Sequence, residues 1–233
     1  MRPLALSTVP LFLLLSAVLA ACAGPSSAAE HAAVALPKPL VDLPAPPAAG
    51  PQTAVLAGGC FWCEESAFEQ LKGVTSVVAG YAGGTEATAT YEKYHESNHA
   101  EAIRITYDPA QITYGELLRV LFTAGDPTTK DGQEPDFGRQ YRIAVFYETE
   151  DQQRVAQAYI RQLAEAKLFA KPIAATVEAM PHGFFAAEDF HQRYVVKHPD
   201  HPYVKRWSLP KIAKVRAAFA DEVKPADETP PKK

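Results

Sequence analysis

Residues 58–68 read GGCFWCEESAF and hold two of the three cysteines of a 233-residue chain, Cys60 and Cys63. The apolar run at 53–57 predicts a buried strand before the two glycines, and a helical pattern follows Cys60. A helix start presents unpaired N–H groups and a partial positive charge, which favour a thiolate at that point. The order of strand, glycines, cysteine and helix therefore predicts a reactive thiolate at Cys60.

The rest of the domain alternates between predicted strands and predicted helices. The strand patterns lie at 74–84, 100–107, 141–148 and 173–179, and the helical patterns lie at 117–124, 149–167 and 210–221. Thr113 with Glu116, and Thr149 with Gln152, have the spacing of helix capping pairs. Interspersed strands and helices predict a single α+β domain, built as an α/β two-layer sandwich.

The first 22 residues have the pattern of an export signal. Met1-Arg2 precedes the apolar stretch LFLLLSAVLAA, which stops at Cys22 and is shorter than the roughly 20 residues that span a bilayer. The residues LAAC at 19–22 resemble a bacterial lipobox. We therefore expect residues 1–21 to be a lipoprotein signal peptide and Cys22 to carry the lipid. The protein would then be an exported, membrane-anchored lipoprotein facing the periplasm or the cell exterior.

Composition divides the remaining chain into a tether, one domain and a tail. Residues 22–51 hold the lipidated cysteine and seven prolines among many alanines, which predicts a stiff tether. Residues 52–222 are long enough for one buried core. Residues 223–233 are rich in proline and charge, which predicts a disordered tail. A formal net charge of −4 leaves no basic surface for nucleic acid.

With Cys22 assigned to the anchor, the domain holds the pair Cys60 and Cys63 alone, which is typical of a redox couple in an exported protein. Zinc would need about four ligands, and only His95 and His99 are at hand, so no metal is expected. A thiol–disulfide oxidoreductase would use the pair alone. A cysteine that is oxidised to a sulfenic acid and resolved by its neighbour is the third chemistry, and a non-catalytic binding module is a fourth possibility.

A series of segments in order narrows these alternatives. GGCFWCEESAFEQLKGVTSVVAGYAGG is followed by TYEKY, NHAEAIRITYDP, PDFGRQYR and FFAAEDFHQRY. Over about 53–198 the chain resembles the peptide methionine sulfoxide reductases of the A type. Their usual motif is Gly-Cys-Phe-Trp-Gly, and Cys63 stands here in place of the last glycine. The resemblance implies a two-layer sandwich with a ferredoxin-like core, and reduction of methionine-S-sulfoxide, free or in peptides.

The resemblance also assigns roles to seven residues. Cys60 is the nucleophile, and Phe61 with Trp62 forms the pocket for the sulfoxide methyl group. The residues implied around the sulfoxide oxygen are Tyr91, Glu101, Asp136 and Tyr141. No metal or organic cofactor is implied, because the electrons come from a thioredoxin-like partner. We expect a monomer that repairs oxidised envelope proteins.

The strand pattern supports a special role for Glu101 independently. Glu101, Ile103, Ile105 and Tyr107 share one face of the predicted strand at 100–107. A carboxylate in line with two isoleucines is on the buried face, where desolvation raises its pKa and favours the protonated form. A protonated carboxylic acid is what donation of a proton to a sulfoxide oxygen requires.

The resemblance breaks at the C-terminus and in one loop. Phe137 and Arg139 replace the residues usually found between the aspartate and the tyrosine of the family. The relatives usually carry a resolving cysteine in a glycine-rich tail, but residues 198–219 read HPDHPYVKRWSLPKIAKVRAAF and hold none. We therefore predict that Cys63 resolves the sulfenic acid on Cys60. The alternative is that Cys63 only packs and that the reductant attacks the sulfenic acid directly.

Overall fold

Eight strands and five α-helices alternate along the part of the chain that the computed structural model describes, residues 36–44 and 50–225. The strands are β1 Gln52–Gly58, β2 Val74–Ala82, β3 Ala100–Tyr107, β4 Gly132–Gln133, β5 Asp136–Phe137, β6 Ile143–Tyr147, β7 Thr176–Ala179 and β8 Phe184–Ala186. The helices are α1 Phe61–Phe68, α2 Tyr114–Ala124, α3 Glu150–Glu165, α4 Tyr194–Lys197 and α5 Leu209–Ala218.

Six of the strands form one sheet in the order β7-β6-β1-β3-β2-β8, and β4 and β5 form a separate hairpin. All pairings in the large sheet are antiparallel except that of β6 with β7. The chain order β1-α1-β2-β3-α2-β6 and the spatial order β6-β1-β3-β2 are those of a ferredoxin-like split βαβ arrangement. The predicted α+β class and ferredoxin-like core are therefore confirmed.

The two faces of the sheet carry different side chains. Along β1, Ala54 and Leu56 belong to the large cluster that also holds the buried residues of α1, α2, α3 and α5. The alternate residues Val55 and Ala57 belong to a second cluster on the opposite face, as the two-residue period of a strand requires. The helices thus cover one face, which gives the two-layer sandwich that the element order predicts.

Both predicted helix caps are present. The hydroxyl of Thr113 accepts from the N–H of Glu116 at 3.2 Å, and the hydroxyl of Thr149 accepts from the N–H of Gln152 at 3.2 Å. Each bond satisfies a donor that has no partner within the helix. The strand predicted to begin at 141 begins at Ile143 instead, because Tyr141 ends a 3-10 turn.

Residues 36–44, which the sequence analysis assigned to the tether, instead pack against the domain. The side chain of Leu36 is buried, and its carbonyl accepts from Arg119 Nε at 2.7 Å. Asp42 accepts from the N–H of Gly115 at 2.9 Å, at the start of α2. A proline-rich segment keeps its carbonyls free as acceptors, and side chains of the domain bind them here.

The C-terminal end of the domain also lies beyond its predicted limit at 222. Val223 is buried and pairs with Leu71, and the N–H of Lys224 donates to the carbonyl of Gln70 at 2.7 Å. The predicted signal peptide, the lipidation site Cys22 and residues 226–233 of the predicted tail lie outside the described residues. Among the residues described, no helix has the length and apolar character needed to cross a membrane.

Candidate active site

A tight turn between β1 and α1 positions the first cysteine. Gly59 has φ +100°, and a Cβ at this residue would lie 2.8 Å from Cβ of Gln133, so glycine alone fits without strain. Cys60 is the N-cap residue of α1, and its carbonyl accepts from the N–H groups of Cys63 and Glu64. The two thiols therefore lie in the first turn of one helix.

Cys60 lies in a cavity of about 190 Å³. The lining residues are Cys60, Phe61, Trp62, Tyr91, Glu101, Asp136, Tyr141 and Tyr203. Seven of these eight are the residues singled out from the sequence, so the fold brings the candidate site together from four separate segments. The cavity is smaller than the roughly 300–1,000 Å³ of sites for drug-sized ligands. It therefore suits the end of one side chain.

Glu101 has the buried position that strand periodicity predicts, and its side chain is 3% exposed. Its Oε2 accepts from the N–H of Phe61 at 2.9 Å, and its Oε1 accepts from the hydroxyl of Tyr94 at 3.0 Å. Burial raises the pKa of Glu101 to about 8, although these two hydrogen bonds lower it. The carboxyl group is therefore mostly protonated at pH 7.

Tyr94, which the sequence analysis did not select, takes the inner position beside this acid. Its side chain is 4% exposed, and its hydroxyl lies 3.0 Å from Glu101 Oε1 and 3.1 Å from the Tyr141 hydroxyl. Tyr91 lines the same cavity but is 45% exposed, and within the described part of the chain its hydroxyl has no hydrogen-bond partner. The acid is thus hydrogen-bonded to Tyr94 and, through Tyr94, to Tyr141.

The indole of Trp62 is held in one orientation. Its Nε1–H donates to Nδ1 of His191 at 3.1 Å, and its ring stacks on Tyr194 with centroids 3.7 Å apart. Burial lowers the pKa of His191, which favours the neutral imidazole that this hydrogen bond needs. Together with the buried ring of Phe61, Trp62 gives the cavity a rigid apolar wall, as predicted for these two residues.

The charge on the cysteine pair differs from the prediction. Both thiols are free, with Cys60 9% and Cys63 4% exposed. Burial raises the pKa of Cys60 well above its usual value, and Cys63 and Glu101 raise it further. A hydrogen bond from Cys60 is the largest cause that brings the pKa of Cys63 down to about 7. Cys63 is therefore the thiol of the pair that ionises more readily, and Cys60 is favoured in its protonated form, because desolvation at the cavity outweighs the partial charge of the helix start.

A C-terminal contribution to the site was not predicted. The hydroxyl of Tyr203 donates to the carboxylate of Asp136 and lines the cavity. Ser208 and Lys211 lie on the far side of the cysteine pair. These three residues come from the stretch 198–219, where the sequence carries no motif for the site, so neither motif nor periodicity could have indicated them.

Of the two histidines considered as zinc ligands, His99 is hydrogen-bonded through both ring nitrogens. Nδ1 of His99 accepts from the N–H of Gly84 at 3.2 Å, so its Nε2 donates to the carbonyl of Thr85 at 3.0 Å. Across residues 36–44 and 50–225, no group of three or more His, Cys, Asp or Glu side chains is arranged to hold a metal ion.

A cysteine pair beside a protonated acid, in a cavity sized for one side chain, is the arrangement of a thiol-dependent oxidoreductase that reduces a bound group. Residues 52–223 match the family model described as peptide methionine sulfoxide reductase. A relative from Synechocystis, named peptide methionine sulfoxide reductase MsrA 2, is 48% identical over 194 residues, which are 81% of this chain and 90% of the relative. The chain belongs to the peptide methionine sulfoxide reductase family and is an oxidoreductase of methionine sulfoxide.

Other relatives and solved structures agree. A peptide methionine sulfoxide reductase MsrA of Thermus thermophilus is 45% identical over 75% of this chain and 98% of its own. Methionine sulfoxide reductase A of Corynebacterium diphtheriae superposes with a TM-score of 0.54 at 30% identity, covering 73% of this chain and 86% of its own. Reduced Mxr1 of Saccharomyces cerevisiae superposes with a TM-score of 0.60 at 28% identity, covering 66% of this chain and 89% of its own.

A pair of tyrosine substitutions tests the inner position of Tyr94. We expect Tyr94→Phe to slow the first turnover with a methionine sulfoxide peptide about tenfold, the scale of one buried hydrogen bond. Tyr91→Phe, the matched change at the rim, should slow it by about twofold or less, since its hydroxyl is solvated. Rapid-quench measurement of released methionine shows which of the two tyrosines contributes more to the first turnover. A larger loss in Tyr91→Phe would reverse the assignment.

Proposed function

We propose that this protein reduces the S epimer of methionine sulfoxide, free or in peptides, through a sulfenic acid on Cys60 and a disulfide between Cys60 and Cys63. The observation that carries the proposal is the buried Glu101, which lines one small cavity together with Cys60 and Tyr141 and accepts a hydrogen bond from Tyr94. Burial raises its pKa to about 8, so that it can donate a proton at neutral pH. A thiol–disulfide oxidoreductase would need neither the buried acid nor the apolar wall. The S epimer follows from the resemblance to the A type.

The first step needs an acid and a thiolate in the same cavity. Glu101 donates its proton to the sulfoxide oxygen, and the positive charge that builds on the sulfoxide sulfur favours ionisation of Cys60. The proton of Cys60 passes to the carboxylate of Glu101, and the Cys60 sulfur attacks the sulfoxide sulfur. The oxygen is transferred to Cys60 as a sulfenic acid, and methionine leaves. Phe61 and Trp62, which form the apolar wall of the cavity, contact the methyl group of the sulfoxide.

The second step uses the neighbouring thiol. Cys63 attacks the sulfur of the sulfenic acid as a thiolate, and the S–S bond forms as the S–O bond breaks. The departing hydroxide takes the proton of Glu101 and leaves as water, and Glu101 regains a proton from solvent. Residues three apart on a helix have Cβ atoms ~5–6 Å from each other, whereas a disulfide requires about 3.8 Å. The first turn of α1 must therefore adjust when the bond forms.

Recycling and location complete the proposal. A thioredoxin-like protein reduces the disulfide by exchange, and no metal or organic cofactor takes part. The enzyme acts as a monomer.

The signal at 1–21 and the lipobox at 19–22 support export and acylation of Cys22. The anchor would direct the activity to oxidised proteins of the cell envelope. Mass spectrometry of the mature N-terminus tests the anchor: an unmodified terminus at any other residue contradicts it.

An assay with two epimers and a disulfide tests the function. Purified protein with a thioredoxin system should reduce a peptide that contains methionine-S-sulfoxide and leave the R-sulfoxide peptide unchanged. Cys60→Ser should release no methionine, because the variant lacks the nucleophile. Insulin disulfides serve as the competing substrate. Reduction of insulin at a comparable rate, without S-sulfoxide reduction, would support the thiol–disulfide oxidoreductase instead.

A further inference from the structure

The stretch from Tyr203 to Phe219, here called the C-terminal arm, packs against α1 on the side of Cys63. It begins with a π-helical turn at Val204–Ser208 and continues as α5. Two polar side chains of the arm face the cysteine pair outside the cavity, and the chemistry proposed so far uses neither of them. These side chains are Ser208 and Lys211.

Ser208 contacts Cys63 directly. Its side chain is fully buried, and its Oγ lies 3.1 Å from Cys63 Sγ. A hydroxyl can donate to a thiolate or accept from a thiol, so this contact persists in both protonation states. Donation to the thiolate is the stronger of the two bonds because one partner is charged.

Lys211 brings a cation to the same place. It lies one helical turn from Ser208, and its ammonium donates to the carboxylate of Glu64 and, at 3.1 Å, to the carbonyl of Gly58. Burial lowers the pKa of Lys211, but the charges of Glu64 and Cys63 raise it more, so the ammonium stays charged. Glu64 Oε2 is buried without a hydrogen-bond partner in the described part of the chain.

Burying an ammonium costs several kcal/mol unless anions compensate it. Glu64 compensates Lys211 incompletely, because burial raises the pKa of Glu64 and opposes its ionisation. The Cys63 sulfur, next to Glu64 in the chain, also interacts electrostatically with this ammonium, since Lys211 lowers the pKa of Cys63 and Cys63 raises that of Lys211. The arm therefore supplies both a hydrogen bond and a positive charge to this sulfur.

We propose that Ser208 and Lys211 are positioning residues for the resolving step, in which they hold Cys63 as a thiolate ready to attack the sulfenic acid on Cys60. The inference rests on the proposed function, since it concerns the second step of that cycle. The arm would thus take the place of a cysteine-bearing tail, because it activates Cys63, a thiol that already lies in the same helical turn as Cys60. An attacking thiol works best when its pKa is near the ambient pH.

The ionisable and polar groups that face Cys63 come from several elements. They are Cys60 and Glu64 at the start of α1, Glu101 on β3, and Tyr203, Ser208 and Lys211 on the arm. Lys211 is the one cation among them, so its removal should raise the pKa of Cys63. The rate of disulfide formation should then fall at pH 7 and recover as the pH rises through the raised pKa of Cys63.

Rapid-quench kinetics without reductant separates the two steps. Reduced enzyme is mixed with a methionine-S-sulfoxide peptide at pH 6 to 10, and released methionine and remaining free thiols are counted by mass. The variants are Ser208→Ala, Lys211→Met, and Lys211→Met combined with Glu64→Gln, which removes both charges and avoids an unpaired buried carboxylate. Lys205→Met is the control, because Lys205 is an exposed lysine of the same arm paired with Asp200.

In wild type and Lys205→Met, loss of both thiols should follow methionine release closely. In Ser208→Ala and Lys211→Met, methionine should appear at nearly the wild-type rate. The pKa of Cys63 is about 7, so raising the pH midpoint by about one unit, or ~1.4 kcal/mol, should slow disulfide formation about fivefold at pH 7. The double variant should show a smaller change in the same direction, because Glu64 raises the pKa of Cys63 and is removed together with Lys211. Unchanged disulfide kinetics and pH midpoint in all three would overturn the role of the arm. Absence of methionine release, or of a Cys60–Cys63 bond in wild type, would overturn the proposed function itself.

Discussion

Replacing Glu101 by glutamine should slow the first turnover by about 10²- to 10⁴-fold, the usual contribution of general acid catalysis. Glutamine keeps the shape: its amide oxygen can accept from the N–H of Phe61, and its NH2 group can donate to the hydroxyl of Tyr94. It has no acidic proton. Peptide binding should change little, since Phe61 and Trp62 provide the apolar contacts. Single-turnover methionine release, measured by rapid quench, gives the effect directly.

The pH profile and a matched control make this test specific. The pKa of Glu101 is raised to about 8, so the acid is protonated below that pH and is lost as the pH rises through it. The wild-type rate should fall above about pH 8, and this decline should be absent in Glu101→Gln. Glu65 is also buried, with a pKa raised to about 8 by burial, but lies outside the cavity. Glu65→Gln should therefore keep the wild-type rate. A Glu101→Gln rate within about threefold of wild type would leave Glu101 only a structural role.

Replacing Cys63 by serine should separate one turnover from continuous turnover. The variant should still release one methionine per enzyme, because Cys60 and Glu101 are intact. Thioredoxin-driven turnover should fall by roughly a hundredfold or more, since a neighbouring thiol acts at a very high effective concentration that a second protein cannot match. A dimedone-type probe with mass spectrometry should find the sulfenic acid on Cys60.

Wild type supplies the complementary observation. After one turnover without reductant, peptide mapping should find Cys60 bonded to Cys63. If the oxidised wild type lacks this bond and Cys63→Ser cycles normally with thioredoxin, the reductant attacks the sulfenic acid directly and Cys63 only packs. Cys63→Ala should behave as Cys63→Ser does, which excludes an effect of the new hydroxyl.

Regular periodicity accounts for the features that the sequence predicted well. The alternation along β3 placed Glu101 on the buried face, and the spacing of Thr113 and Thr149 from their partners identified the starts of α2 and α3. In each case the signal is local, because the pattern reports the geometry of one element. The position of Cys60, directly after two glycines and before a helix, is a local signal of the same kind.

The features that the sequence did not predict depend on contacts between distant segments. Ser208 reaches Cys63 across 145 positions, and no local pattern encodes that contact. Tyr94 differs from Tyr91 by one irregular turn, where side chains have no fixed period. The thiolate was assigned to Cys60 from the helix start alone, whereas burial and Glu101 decide the charge.

The two thiols occupy the first turn of one helix, and this has a consequence for survival under oxidative stress. In the proposed cycle the resolving sulfur does not have to arrive from a mobile chain, so closing the ring costs little chain entropy. The sulfenic acid on Cys60 is then short-lived, and further oxidants have little time to convert it to the irreversible sulfinic acid. An enzyme built this way is protected from inactivation when peroxide is most abundant, which is when damaged methionines accumulate.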